Sequence, residues 1–242
     1  MELSETEQAN LVTYEGEARL FVAIDCIIFG FDGENLKLLL IKRNFEPQKG
    51  KWSLMGGFVR ENENLQDGSR RILHELTGLE NVYMEQLETV GDIGRDPVAR
   101  TLSIPYFALI NINDHDMELA RSKNGCWFSL NKRPDLIFDH NLMVEKATAH
   151  LRYKAALHPL GFELLPDQFT IPQLQKLYEA VYDRKLDRRN FSRKILSTDL
   201  LIDTGQKNEG GSTKKAILYK LDKEKYEQQF NAFHYFVPKG LF

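Results

Sequence analysis

Cysteine is scarce in this chain. Cys26 and Cys126 are the only two in 242 residues, and they lie in unrelated contexts without metal-ligand spacing around them. A disulfide framework and a thiolate metal site are therefore excluded, in keeping with a reducing, cytoplasmic setting. Long apolar runs are missing as well. The best candidate, Leu20 to Phe31, is interrupted by Asp25 and is shorter than the roughly 18–20 residues needed to cross a bilayer, so no membrane partner is expected. The first ten residues, MELSETEQAN, lack the basic and apolar regions of a signal peptide. Neither sign of charge dominates: 32 basic and 35 acidic residues leave −3, which taken whole argues against a generic nucleic-acid binder. With 42% hydrophobic residues the chain is not disordered, and its length suits one large domain or two small ones.

Texture changes along the chain. Residues 1–18 carry Glu2, Glu5, Glu7, Glu15 and Glu17 with no basic residue and read as an acidic, mobile extension. Two β-rich runs follow, Leu20–Phe31 and Leu36–Lys42, joined by the turn-forming Asp32-Gly33-Glu34-Asn35. After a glycine-rich loop around Gly50 to Gly57, a helix is expected from about Leu65 to Leu76, with Gly78 as its C-cap. Strands are expected over Glu85–Ile93, Thr101–Ile112 and Gly125–Ser129, and a second helix over Leu142–Leu157. The Pro/Gly-punctuated stretch from His158 to Asp167 marks a boundary. Beyond it, Thr170 can cap a helix with Pro172 in its first turn, and Asp187 can cap another running to about Ser197. Leu200–Ile202 and Ala216–Tyr219 then read as hairpin strands around a polar, glycine-rich connection from Gly205 to Thr213.

The stretch Gly57 to Leu79 resembles the Nudix box, G-x5-E-x7-R-E-U-x-E-E-x-G-U, where U is apolar. Gly57, Glu63, Arg71, Leu73, Glu75, Gly78 and Leu79 match, whereas Ile72 and Leu76 stand where the family has glutamates. Positions 72, 75 and 76 share one helix face. Three carboxylates there hold Mg²⁺ in the family enzymes, which hydrolyse nucleoside diphosphates linked to another group. With Glu75 alone on that face, the expectation is a retained fold without catalysis, metal or cofactor. A Mg²⁺-dependent hydrolase of ADP-ribose or a related nucleotide, recruiting Glu61, Glu63 and Glu75, stays as the alternative.

The near-neutral total conceals segregation. From Thr170 to Lys220, 11 basic residues face 6 acidic ones, giving +5, so the remainder carries −8. The helix begun by Asp187 gathers Arg188, Arg189, Asn190, Arg193 and Lys194 around an apolar side of Phe191 and Ile195. Arg reads guanine and Asn reads adenine in a major groove. Lys207, Thr213, Lys214 and Lys215 on the following hairpin suit phosphate or minor-groove contacts. Helix, turn, helix and basic hairpin in this order resemble a winged helix-turn-helix.

Those two halves together resemble the Nudix-related transcriptional regulators, over about Leu20 to Asp222. The fold class so implied is α+β: a Nudix α/β/α sandwich over 19–157 and a winged helix-turn-helix over 158–242. The resemblance implies an effector-responsive regulator, commonly a repressor of sugar-use genes, acting as a homodimer on a palindromic operator. Motifs such as Lys42-Arg43-Asn44-Phe45-Glu46-Pro47 look most like an arabinose-responsive branch. Gly94-Arg95-Asp96-Pro97 resembles ADP-ribose-binding relatives and leaves that effector open. Candidate effector contacts are Asp25, Arg43, Phe45, Glu46, Trp52, Gly56 and Arg95; Trp52 can equally anchor the glycine loop, and Arg95 can equally pair with a carboxylate. Asp139-His140 reads as helix-start capping rather than acid–base chemistry. The aromatic tail, with Tyr226, Phe230, Phe233, Tyr235, Phe236 and Phe242, reads as a cover for the winged helix or a dimer mate.

Overall fold

A computed structural model describes residues 18–80, 82–112, 125–157, 162–208 and 215–232. The acidic extension and the tail residues from 233 onward lie outside them.

The apolar run that is too short for a membrane is the central strand of a sheet. β1 (Phe21–Phe31) pairs in parallel with β6 (Thr101–Asn111) along its full length. Its other edge is shared by two partners. β4 (Met55–Phe58) takes Ala23–Cys26, and β2 (Leu36–Lys42) takes Ile28–Phe31. β3 (Trp52–Ser53) and β7 (Gly125–Ser129) extend β2, while β5 (Tyr83–Gln86) lies outside β6. A strand buried on both faces reads as continuous hydrophobic sequence. Alternate side chains of β1 then feed opposite cores: Ile24, Cys26 and Ile28 on one face, Ile27, Phe29 and Phe31 on the other.

Each face has its helix. α1 (Leu65–Thr77) starts at Asn64, whose side chain accepts the Asp67 N–H, and stops at Gly78 in the left-handed region, φ 74°. Its Ile72 and Leu73 close the first core. α2 (His140–Leu157) lays Met143, Val144, Ala147 and Leu151 on the second. This helix starts two residues before the expected Leu142, at His140 rather than on an apolar residue. The expected strand over Glu85–Ile93 is also shorter, ending at Gln86; beyond it Leu87 N donates to Pro105 O and Val90 forms an isolated bridge to Ser103 of β6.

The C-terminal half begins with α3 (Ile171–Tyr182), whose Thr170 forms a capping box with Gln173. α4 (Arg188–Leu196) follows, capped by Asp187. β8 (Leu201–Lys207) and β9 (Ile217–Leu221) pair antiparallel, and Phe169 adds a bridge to Tyr219. α5 (Lys223–Ala232) ends the described chain. The hairpin strand continues past Gly205, which sits inside β8 at φ 69° where the register shifts between Asp203 and Lys207. Such a bulge lets pairing continue where the sequence alone reads as loop. Tyr226 packs edge-on against Phe162. The two halves share a core: one buried cluster runs from Leu36, Leu38 and Met143 through Leu174, Leu177 and Val181 to Ile195.

Candidate functional site

The Nudix helix shows first what the chain cannot easily hold. Ile72 is 1% exposed and packed in the core, and a Cβ built on Gly57 would lie 3.2 Å from it. Leu76 leans on the same core. Of Glu61, Glu63 and Glu75, Glu61 is exposed and the other two are held by arginines. Arg71 grips Glu63 at 2.8 and 2.5 Å and reaches Glu75 at 3.0 Å, while Arg60 meets Glu75 at 3.1 Å. Arg71 holds the Glu63 carboxyl down to about 2. A divalent cation needs several oxygen ligands free of competing cations. The residues at the Nudix box do not fit Mg²⁺, and no cluster of three metal-ligating side chains occurs among the described residues.

A second polar cluster lies where β1 changes partners. Asp25, 7% exposed, accepts from Ser103 Oγ at 2.6 Å, and Arg95 Nη2 and His140 Nε2 stand 3.9 and 3.7 Å from its oxygens. Arg95 in turn donates Nε and Nη2 to Asp139, both at 2.8 Å. Burial works against the Arg95 charge, but Asp139, with Asp25 and Asp96 nearby, outweighs it and raises its pKa. His140 Nδ1 accepts the Leu54 N–H at 3.1 Å, which leaves the ring proton on Nε2, towards Asp25. Burial lowers the His140 pKa, keeping the ring neutral.

Arg43 stands beside this group. Its guanidinium lies 4.1 Å above the Phe45 ring and 5.9 Å from Phe138, and its Nε donates to Pro47 O at 2.9 Å. Burial lowers its pKa against the pull of Asp96, Asp25 and Glu46. Phe45 is 55% exposed and Glu46 is exposed.

Of the candidate effector residues, Asp25, Arg43, Phe45, Glu46 and Arg95 thus fall in one region. Trp52 packs edge-on against Phe128, 4.8 Å between ring centroids, and joins the core, which is the anchoring role. Gly56 is explained by close approach: a Cβ there would stand 2.4 Å from Asp25 Oδ1 and 2.8 Å from Ile24 O. Asp139 does not cap α2 with its side chain, because both carboxylate oxygens face Arg95. Ser103, Phe138 and the pairing of Asp139 escape sequence reasoning, since they meet Asp25, Arg43 and Arg95 only through the fold.

The basic surface is separate. Arg188, Arg189, Asn190, Arg193 and Lys194 are all exposed on α4, while Ile195 is buried and the Phe191 ring packs tilted against Tyr178, 5.4 Å between centroids. Arg193 donates to Asn190 Oδ1 at 2.9 Å, and the other three cations form no ion pair with a described carboxylate. Glu179 sets the preceding turn by accepting from Leu186 N, Lys185 Nζ and Gln175 Nε2 at 2.9–3.0 Å. Lys207 and Lys215 are exposed on the hairpin; Thr213 and Lys214 lie outside the described residues.

The fold and these two surfaces define a Nudix domain joined to a winged helix. Residues 19–146 match the NUDIX domain model, and residues 161–221 match that of the NrtR DNA-binding winged helix domain. The ADPR responsive transcriptional repressor NtrR of Acinetobacter baylyi is 32% identical over 231 residues, 93% of this chain and 92% of that protein. Shewanella oneidensis NrtR in complex with a 27mer DNA superposes with a TM-score of 0.76 at 31% identity, covering 85% of this chain and 95% of that one. Its NUDIX domain complexed with ADP ribose gives 0.53 at 29% identity, over 62% of this chain and 99% of that one. The chain belongs to the Nudix-related transcriptional regulators. Of these relatives, the Acinetobacter repressor and the Shewanella NUDIX domain carry ADP-ribose in their names.

Proposed function

We propose that this protein is a transcriptional repressor released from operator DNA by ADP-ribose, and that its Nudix domain binds that ligand without hydrolysing it. One observation carries the reading: a chain with an exposed Arg/Asn-rich helix has its Nudix metal face filled by Ile72 and Leu76. The DNA complex and the ADP-ribose complex of the Shewanella relative support the two binding roles.

The chemistry agrees with ADP-ribose. A pyrophosphate needs a cation that is not already neutralised. Arg43, whose Nε is held by a neutral carbonyl, is better suited than Arg95, which spends its charge on Asp139. Phe45 offers an exposed ring for a base, and Asp25 with Glu46 offers acceptors for ribose hydroxyls. On the DNA side, Arg188, Arg189 and Asn190 at the start of α4 read bases in a major groove, while Lys207, Thr213, Lys214 and Lys215 touch backbone. A homodimer places two such helices on the half-sites of a palindrome.

The test uses a duplex selected from a random-sequence pool. Specific binding at moderate salt that is lost in Arg189→Ala is expected. ADP-ribose incubated with Mg²⁺ and protein is expected to be recovered intact. Turnover abolished by Glu75→Gln would replace this reading with that of a hydrolase.

A further inference from the structure

We infer that Arg152 is the positioning residue that carries effector occupancy from the Nudix cleft to the DNA-reading helix. This rests on the ADP-ribose reading above and deepens it, by naming where the two domains are coupled.

α2 changes partners along its length. At its start, Asp139 holds Arg95, and His140 holds Leu54 and faces Asp25, so the helix begins in the cleft. From Lys146 to Lys154 it is fastened to the Nudix domain. Lys146 meets Glu88 at 3.3 Å, His150 meets Glu85 at 3.0 Å, and Lys154 pairs with Glu85 too. Over the same last turns, where Lys154 still pairs with Glu85, another side of the helix meets the other domain. Arg152 Nε donates to Val181 O at 2.8 Å, and Ala155 and Ala156 line a groove of about 450 Å³ with Tyr178, Phe191 and Lys194.

The acceptor is well placed for leverage. Val181 is in the last turn of α3, where a helix leaves carbonyls without intrahelical partners and favours a cation. Two residues later Asp183 turns left-handed at φ 53°, and Glu179 fixes the turn through Lys185 and Leu186. Asp187 then caps α4, so Arg188 and Arg189 follow directly from that turn. A helix rising 1.5 Å per residue puts Arg152 roughly 20 Å from Asp139, too far for direct contact but within one rigid element. Shifts of 1–2 Å in such elements are a common means of switching, provided the ligand favours one position. Ligand contacts that re-aim Asp25, Arg95 or Asp139 act on the start of α2, and Arg152 passes the displacement to α3.

The experiment measures the ratio of duplex affinities without and with ADP-ribose, in full-length wild type, Arg152→Met and Arg152→Lys. For wild type a ratio of roughly tenfold or more is expected, within the usual range for coupled sites. Arg152→Met is expected to bring the ratio close to one while each ligand alone binds within about threefold of wild type. Arg152→Lys, which keeps a donor and a charge, is expected to fall between them. Titrating ADP-ribose with and without duplex must return the same ratios, because coupling is reciprocal. A merely structural residue would lower thermal stability and leave the ratio alone. Wild-type ratios in Arg152→Met, or in Arg152→Lys should the first not fold, overturn the inference. A wild-type ratio of one overturns the ADP-ribose reading itself, and this inference with it.

Discussion

Arg95 lies flat against Asp139, each of two guanidinium nitrogens 2.8 Å from its own carboxylate oxygen, and the Arg95 side chain is only 4% exposed. The pair ties the Asp92–Arg100 loop to the first residue before α2. Removing Asp139 leaves the buried Arg95 charge with only the longer contact to Asp25, a loss towards the lower end of the about 3–5 kcal/mol that breaking a buried ion pair costs. Asp139→Ala is expected to lose stability in that range in urea unfolding. Arg95→Met combined with Asp139→Leu is expected to recover most of the loss, the signature of a coupled pair.

Gly56 is a packing requirement before it is anything else. A methyl group at 2.4 Å from Asp25 Oδ1 and 2.8 Å from the Ile24 carbonyl forces β4 away from β1. Gly56→Ala is expected to cost about 1–3 kcal/mol in the same assay. The alanine is also expected to weaken ADP-ribose binding, because Asp25 moves with the strand.

Acid sensitivity follows from two carboxylates. Glu63 is held at about 2 by Arg71, and Glu179 at about 2 by the Leu186 N–H and Lys185. A depressed carboxylate favours the folded state fully above its ordinary pKa near 4.5, and that contribution is lost as pH falls towards 2. His140, lowered by burial, acts in the same direction at higher pH: below its ordinary 6.5 the unfolded chain takes up the proton first. Thermal midpoints are expected to decline gently below pH 6.5 and steeply below 4.5. Glu179→Gln is expected to flatten the steep limb while lowering stability at pH 7.

Base and backbone contacts separate by their response to salt. Arg189→Ala is expected to weaken the selected duplex by about 10- to 100-fold and to relax preference at one position. Lys215→Ala is expected to weaken all duplexes alike and to reduce the salt slope by about one. Fluorescence anisotropy across a salt series checks both.

Much of this was legible in the residues because the signals are local. Gly78, Thr170 and Asp187 cap helices where their types and spacing say they should. Ile72 and Leu76 departed from the Nudix pattern in sequence, and the core explains where they went. The basic face of α4 follows from a turn, a cap and helical spacing. What was not legible is long-range. Asp139 reads as a cap until Arg95, 44 residues away, is brought to it. The contacts of Trp52 with Phe128 and of Gly56 with Asp25 are equally long-range and have no local sign. Arg152 has no local feature that distinguishes it from any helix-surface arginine; only the fold places Val181 within its reach.

The duplex affinity of the full-length protein, measured with and without ADP-ribose at one fixed salt concentration, bears on the whole reading at once. Specific binding that weakens roughly tenfold or more when ADP-ribose is added, with the nucleotide recovered unchanged, is the expected result. Binding that ignores ADP-ribose, or ADP-ribose that is consumed while DNA binding is absent, would contradict it.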